Sequence, residues 1–558
     1  MLCSATLVAL AGGCGKSDSK SDGQSAYVVM PYVLGDLSQI KGATADKFTI
    51  TVNPDAKSGA GFLDVAPDVH GGQGFAEPGV ERVMSASTYD HQRRSLLNRF
   101  DPSKGMDQGA WFWHTTRELD QQGAIQAGRP GFASFATDGA RPAITDFYAR
   151  MAQTPPHKRV APYRLAADAS ICPTDIIAPD HETPSDTDTL VVPASGLVAG
   201  ADYCIAYVDD PVTADKATIQ AAIEEILKVY KTVIYQDTFP DTADGYSFKP
   251  VIVVVNFADQ NKWPQADAYQ VSGAFIKAMS TAGKRPMLYM AADFQKLPRN
   301  KTATDYDKAL NTKLWYSTMA HEMQHAIMNY YRGHAHAGVD ETPAIDEGLA
   351  HYMEDVFGCG QENFGGYAKA FLDVWVNGLP FLHATDSDDI TRGGAESFLY
   401  YLTSRKGGLA FTDGVVSGGG GLDFIRKVVT NTQENGPKNL ADSFGGDWTE
   451  TVGDYLGALA LDGTAATTIL DKYKVQEPVT TVTDLAGNKN KTFGMHFNGF
   501  GGLPATRTWE TKFESTKTLD DMVYYATTPV LYGSDPGDVT YQTSLEGATV
   551  AITKVQVN

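Results

Sequence analysis

Residues His321-Glu322-Met323-Gln324-His325 spell H-E-x-x-H, and no other feature constrains this chain as tightly. Two histidines four apart on a helix point the same way, so both imidazoles can bind one Zn²⁺. Glu322 lies about 100° round the helix from His321, where its carboxylate can reach a water on the metal without being a ligand. The spacing points to a zinc-dependent hydrolase, and within that class to a peptidase.

The surroundings strengthen the pattern. From Thr312 to Tyr331 the chain holds no Gly or Pro. Leu314, Trp315, Met319, Met323 and Ile327 recur at helical spacing, which predicts a helix with a buried face. Gly333 then supplies a stop. The plainer alternative is a buried helix whose histidines are merely hydrogen-bonded. A Glu and two His on an apolar face are costly, however, unless a metal or partner satisfies them.

A catalytic zinc site needs a third protein ligand and one open position. One known arrangement takes a His six residues after the second motif His, with a Gly at the third. Here those positions hold Tyr331 and Met328, so that arrangement is absent. His334 and His336 read as loop histidines past the helix end. Glu347 is the better candidate. Thr342 suits an N-cap and Pro343 a first helical position, so Glu347 falls early in a second helix. A loop of about ten residues lets that helix fold back on the first.

His-Glu-Met-Gln-His at 321–325 and Asp-Glu-Gly-Leu-Ala-His-Tyr-Met-Glu at 346–354 together resemble the gluzincins, zinc peptidases whose third ligand is a Glu on the next helix. More narrowly, the chain is similar to the hyicolysin family of bacterial metallopeptidases. Tyr203–Asp210 resembles the strand that opens such domains, Arg285–Asp293 the strand before the zinc helix, and Arg392–Leu402 the helix after the site. The resemblance covers 186–465, about half the chain, and is concentrated at the two metal motifs. It implies a thermolysin-like domain, a mixed sheet followed by a helical zinc-binding half. It implies that His321, His325 and Glu347 bind Zn²⁺ and that Glu322 is the general base. It also places Tyr400 and Tyr401 near the cleft as candidate donors to the oxyanion, with Arg392 and Arg405 behind them. A rim strand around Leu288–Ala292 would accept peptide backbone. One position departs from the pattern. Some gluzincins carry an Asp four residues after the ligand Glu, to orient a ligand His. His351 stands there, and Glu354, one turn further, is the candidate replacement.

The first 14 residues form an apolar run ending in small residues and Cys14, too short for a membrane span. They read as a bacterial lipoprotein signal with lipidation at Cys14, although no Lys or Arg precedes the run. Residues 15–25, rich in Ser, Asp and Lys, read as a flexible tether. The expected location is the cell envelope, at the outer surface or in the periplasm, or released outside, with membrane contact only through the lipid. Cys172 and Cys204 are candidates for a disulfide at the entrance of the 186–465 region, leaving Cys359 as a free thiol. The sequence leaves that pairing open. A net charge of −21 argues against nucleic-acid binding. A protein or peptide substrate is the expected partner.

Length predicts several domains. Residues 26–185 carry short alternating runs such as Lys47–Val52 and read as a β-rich N-terminal domain. Trp111, Trp113 and His114 form an aromatic cluster within it. In the 186–465 region, Thr218–Tyr235 reads as an amphipathic helix and Val251–Val255 as a buried strand. Gly418–Gly421 reads as a mobile loop. Residues 466–558 alternate again and read as a β-sandwich-like domain. The fold class is therefore α+β, multidomain, with the catalytic region flanked by β-rich ends. A surface adhesin or binding lipoprotein with an inactive peptidase-like fold is the competing function, and the intact His321, Glu322, His325 and Glu347 argue against it. A zinc aminopeptidase would need an acidic amine-binding motif ahead of the first helix, and none is evident.

Overall fold

The computed structural model describes 27–35, 46–52, 60–62, 196–207, 216–255, 273–291, 308–359, 389–412 and 415–461 with few breaks, and shorter pieces within 172–191, 367–382 and 470–556. Residues 1–25 with Cys14, and Trp111, Trp113 and His114, lie outside the described residues. The described chain is mixed helix and sheet.

Strands β1 (Tyr27–Leu34), β2 (Asp46–Val52) and β3 (Ala60–Phe62) come first, followed by the paired β4 (Asp175–Ile177) and β5 (Thr189–Val191). A five-stranded sheet follows, built from β6 (Leu197–Ala199), β7 (Cys204–Tyr207), β8 (Val251–Val255), β9 (Gly273–Phe275) and β10 (Met287–Ala291) in the order β6-β7-β8-β10-β9. The three inner strands are parallel and the two outer ones antiparallel. Unbroken apolar runs suit strands covered on both faces, and β8 is five consecutive Val and Ile residues. The strand that sequence placed at the rim, Leu288–Ala292, is β10 in the interior, hydrogen-bonded to β8 on one side and β9 on the other. The edge belongs to β9.

Helix α1 (Lys216–Val229) and the short α2 (Lys277–Gly283) lie within this part of the chain. Then come α3 (Lys308–Asn329), α4 (Pro343–Glu354), α5 (Tyr367–Leu372), α6 (Asp389–Arg405), α7 (Gly421–Thr430), α8 (Gly436–Phe444) and α9 (Trp448–Leu461). Helix α3 is buried on every side from Trp315 to Arg332, against β9, β10, α1 and α4. The sequence pattern predicted one buried face, whereas the structure buries this stretch all round. It does not stop at Gly333, because its last turn widens into a π-helical segment, Tyr330–Ala335. The Gly418–Gly421 run is a packed turn rather than a mobile loop. Gly419 sits at φ +101°, and a Cβ there would lie 2.2 Å from the Gly408 carbonyl oxygen.

The two β-rich ends are not separate. Strands β11 (Ala410–Thr412), β12 (Val415–Gly418), β13 (Val479–Thr483) and β14 (Lys489–Lys491) form one sheet that crosses the expected boundary at 465/466, with Ala410 opposite Val479. Strands β15 (Thr516–Met522), β16 (Val530–Tyr532), β17 (Val539–Thr543) and β18 (Thr549–Gln556) pair with the opening strands, in the orders β18-β1-β16-β3 and β15-β2-β17. Alternation along a chain marks a strand but does not name its partner. This joint β unit rests on α9, where Tyr32 Oη donates to the Thr449 carbonyl at 2.8 Å.

A disulfide joins Cys172 to Cys204, the first residue of β7. The bridge spans 32 residues. Chain entropy for a loop of that size is worth about 3–4 kcal/mol. The double variant C172S/C204S is expected to lose about that much in denaturant unfolding. Reducing the wild type should give the same loss. Equal stability of the oxidised wild type and the variant would show that the bridge contributes nothing.

Candidate metal centre

Helix α3 carries His321 and His325 on one face, and α4 lays Glu347 against them. His321 Nε2 and His325 Nε2 are 3.0 Å apart, and Glu347 Oε2 lies 3.4 Å from the first and 3.5 Å from the second. A tetrahedral Zn²⁺ about 2.0–2.1 Å from each donor sets its donors about 3.3–3.4 Å apart. The three atoms therefore span one face of such a tetrahedron. All three residues are fully buried or nearly so.

The far nitrogens explain why the near ones converge. His321 Nδ1 is 2.7 Å from Glu354 Oε1, and His325 Nδ1 is 3.1 Å from Asp346 Oδ1, at an oblique angle. With carboxylates behind each Nδ1, the proton belongs there, and the two Nε2 lone pairs face each other. Two lone pairs at 3.0 Å repel unless a cation or a proton sits between them. Glu354 also accepts from Ser317 Oγ and lies 2.8 Å from His351 Nδ1, so one carboxylate holds two imidazoles. Glu354, the last residue of α4, is the carboxylate that lies against both His321 and His351. His351 stands with His321 and Glu347 in a buried group whose donor atoms all lie within 4.8 Å of one another, close enough to hold a metal ion. The triangle closed by His325, with edges of 3.0, 3.4 and 3.5 Å, lies close to tetrahedral edge lengths.

Electrostatics follow the same arrangement. Burial pushes the His321 imidazole down, but Glu347 and Glu354 outweigh it and hold it above its ordinary value. Burial likewise opposes His325, and Asp346 and Glu347 raise it well above. Burial pushes Glu347 up, yet Arg392 and the two histidines hold it well below the usual carboxylate range. Burial and the neighbouring His321 push His351 down to about 3, against the pull of Glu354. These shifts favour the protonated form of both imidazoles and the ionised form of Glu347.

Glu322 is fully buried, and its Oε2 accepts the backbone N–H of Phe275, on edge strand β9, at 2.7 Å. Arg392, on α6, lies 3.2 Å from Glu347 Oε1, so its guanidinium clamps the outer oxygen of that carboxylate. Tyr401 Oη donates to the Lys472 carbonyl at 2.8 Å, and the Tyr400 ring packs edge-on against Tyr352. Arg405 donates to the Asp471 carbonyl. His334 binds Asp244 at 2.8 Å and stacks on Tyr246, while the His336 ring lies over Tyr331. Asp346, Ser317 and the Phe275 amide were missed by the sequence reading. Asp346 had a visible signal, since it directly precedes Glu347. The other two become visible only once the helices and the sheet are assembled.

Gly348 explains the small residue after Glu347. A Cβ there would lie 2.6 Å from Ala395 Cβ and 2.9 Å from Glu396 N on α6. No family model matches this chain, and no curated protein matches it significantly.

Two measurements test the centre. G348A is expected to cost about 1–3 kcal/mol by forcing α4 from α6, and to weaken binding of a divalent cation as Glu347 shifts. Stability and affinity both equal to wild type would show that this contact does not place Glu347. A divalent cation held by these donors would compete with protons for His321 and His325. Since both pKa values are raised, affinity should already be falling near neutrality and should keep falling as pH drops. Calorimetry in buffers of different ionisation enthalpy should show proton release on binding. A pH-independent affinity across that range would contradict the assignment.

Proposed function

We propose that this chain is a zinc-dependent endopeptidase of the gluzincin type, exported and held at the cell envelope by lipid on Cys14. The observation that carries the proposal is the donor triangle of His321, His325 and Glu347, with a carboxylate behind each imidazole. Those three residues would hold the cation. The mixed sheet followed by packed helices is consistent with a thermolysin-like domain. A bound Zn²⁺ supplies Lewis acidity, polarising a carbonyl oxygen and making a water molecule more acidic.

The protein's own part is proton transfer and placement. Glu322 takes the proton of the attacking water and passes it to the leaving amine. The Phe275 N–H holds one oxygen of that carboxylate, which fixes the direction from which the base works. Arg392 and Glu354 keep Glu347 and His321 in place. Strand β9 has no further strand beyond it among the described residues, and a peptide would lie along that edge by adding a strand. Main-chain pairing of that kind gives broad sequence tolerance. The net charge of −21 supports a polypeptide rather than a nucleic-acid substrate.

The deciding variant is E322Q. Casein cleavage is expected to fall by about 10²–10⁴-fold, the usual worth of a general base, with zinc content unchanged. A variant that cleaves as fast as wild type would remove Glu322 from the mechanism. A wild type that binds no zinc would remove the mechanism itself.

A further inference from the structure

The geometry points to Asp346 as a positioning residue for His325, paired in role with Glu354 behind His321, so that each ligand imidazole has its own backing carboxylate. The inference rests on the metal-centre reading above and deepens it. His325 Nδ1 lies 3.1 Å from Asp346 Oδ1, and the Asp346 side chain is 14% exposed. His321 Nδ1 lies 2.7 Å from Glu354 Oε1, with a side chain 7% exposed. The two carboxylates come from opposite ends of α4: Asp346 directly before the ligand Glu347, and Glu354 two turns later. One helix thus supplies the third ligand and the backing group for each of the other two.

A carboxylate behind an imidazole does two things. It keeps the proton on Nδ1, leaving Nε2 as the donor, and it makes that donor more basic. It also fixes the ring's rotation. Asp346 has a competing explanation, because an acidic side chain in a helix's first turn is stabilised by the dipole whatever lies nearby. The two explanations differ in what they change. A dipole contribution belongs to the fold with or without metal. A positioning contribution appears in the affinity for the metal.

The test uses the full chain, metal-free, titrated with Zn²⁺ against a chromophoric chelator. Variants D346A, D346N, E354Q and H321A are compared, and thermal midpoints are recorded with and without zinc. D346A removes both the charge and the acceptor oxygen, and is expected to weaken zinc about 10–100-fold. D346N keeps an acceptor and should fall between D346A and wild type. E354Q should lose affinity on the same scale. The Co²⁺-loaded D346A protein should show shifted visible bands, because the ring it orients is a ligand. The proposal is overturned if D346A binds zinc as tightly as wild type while H321A does not. It is overturned equally if D346A lowers the metal-free midpoint and leaves affinity unchanged, which is the dipole outcome. If wild type binds no zinc, or H321A binds it as well as wild type, the metal-centre reading fails and takes this proposal with it.

Discussion

Two imidazole nitrogens held 3.0 Å apart beside a carboxylate oxygen are the interaction on which this structure turns. Such an arrangement opposes folding unless something positive occupies it. Around it, Glu322, Asp346, Glu347 and Glu354 are buried or nearly so, and Arg392 is a buried guanidinium in contact with Glu347. Protons on His321 and His325 offset part of the negative charge when no metal is present. A divalent cation offsets it better, because it accepts all three donors at once and does not need to be shared. The same low dielectric that makes an empty cluster costly makes a filled one tight.

Holding three donors in register requires the two helices to be fixed at both ends. Between them the chain turns through Glu341, which is fully buried. Its carboxylate takes Arg332 at 3.1 Å, Asn439 Nδ2 at 2.6 Å, and the amides of Thr342 and Gly436 at 2.7 and 2.6 Å. This ties the end of α3, the start of α4 and the start of α8 to one group. Thr342 occupies the N-cap position in extended conformation, yet its side chain makes no capping bond and turns to Glu341 instead. From that anchor, Pro343 begins α4, and Glu347 falls one turn in. On the far side, Gly348 lets α4 approach α6 closely enough for Arg392 to reach Glu347. The charged centre and the backbone packing are therefore one constraint, seen from two sides.

What could be read from the sequence was local. The motif, the helix that bears it, β8 at Val251–Val255 and the start of α4 each depend on residues within a turn or two of one another. Glu347 was legible because a cap and a proline fixed where its helix begins. Glu354 was legible because it sits two turns from Glu347 on the same helix. Other features depend on what the chain meets after long excursions. Strand β1 pairs with β18 more than 500 positions away, and nothing in either segment names the other. Tyr400 and Tyr401 show why helical position alone does not assign a role: the Tyr401 hydroxyl satisfies a carbonyl near the start of the C-terminal β-rich region, and Tyr400 packs on Tyr352. Arg392 shows the reverse, since a residue considered for the substrate is engaged by Glu347.

Glu322 is the one acidic group of the cluster that binds outward to the sheet. Its Oε2 accepts the amide of Phe275, the last residue of the edge strand. A peptide joining that edge would compete for, or reinforce, the same strand geometry that orients the carboxylate. On the proposed reading, placement of the substrate and aim of the Glu322 carboxylate would both be set by one three-residue strand. The metal ligands sit on long helices, where packing gives rigidity. Glu322 shares α3 with His321 and His325, so the packing that holds the two imidazoles also holds its carboxylate, and the Phe275 amide fixes the direction in which that carboxylate points.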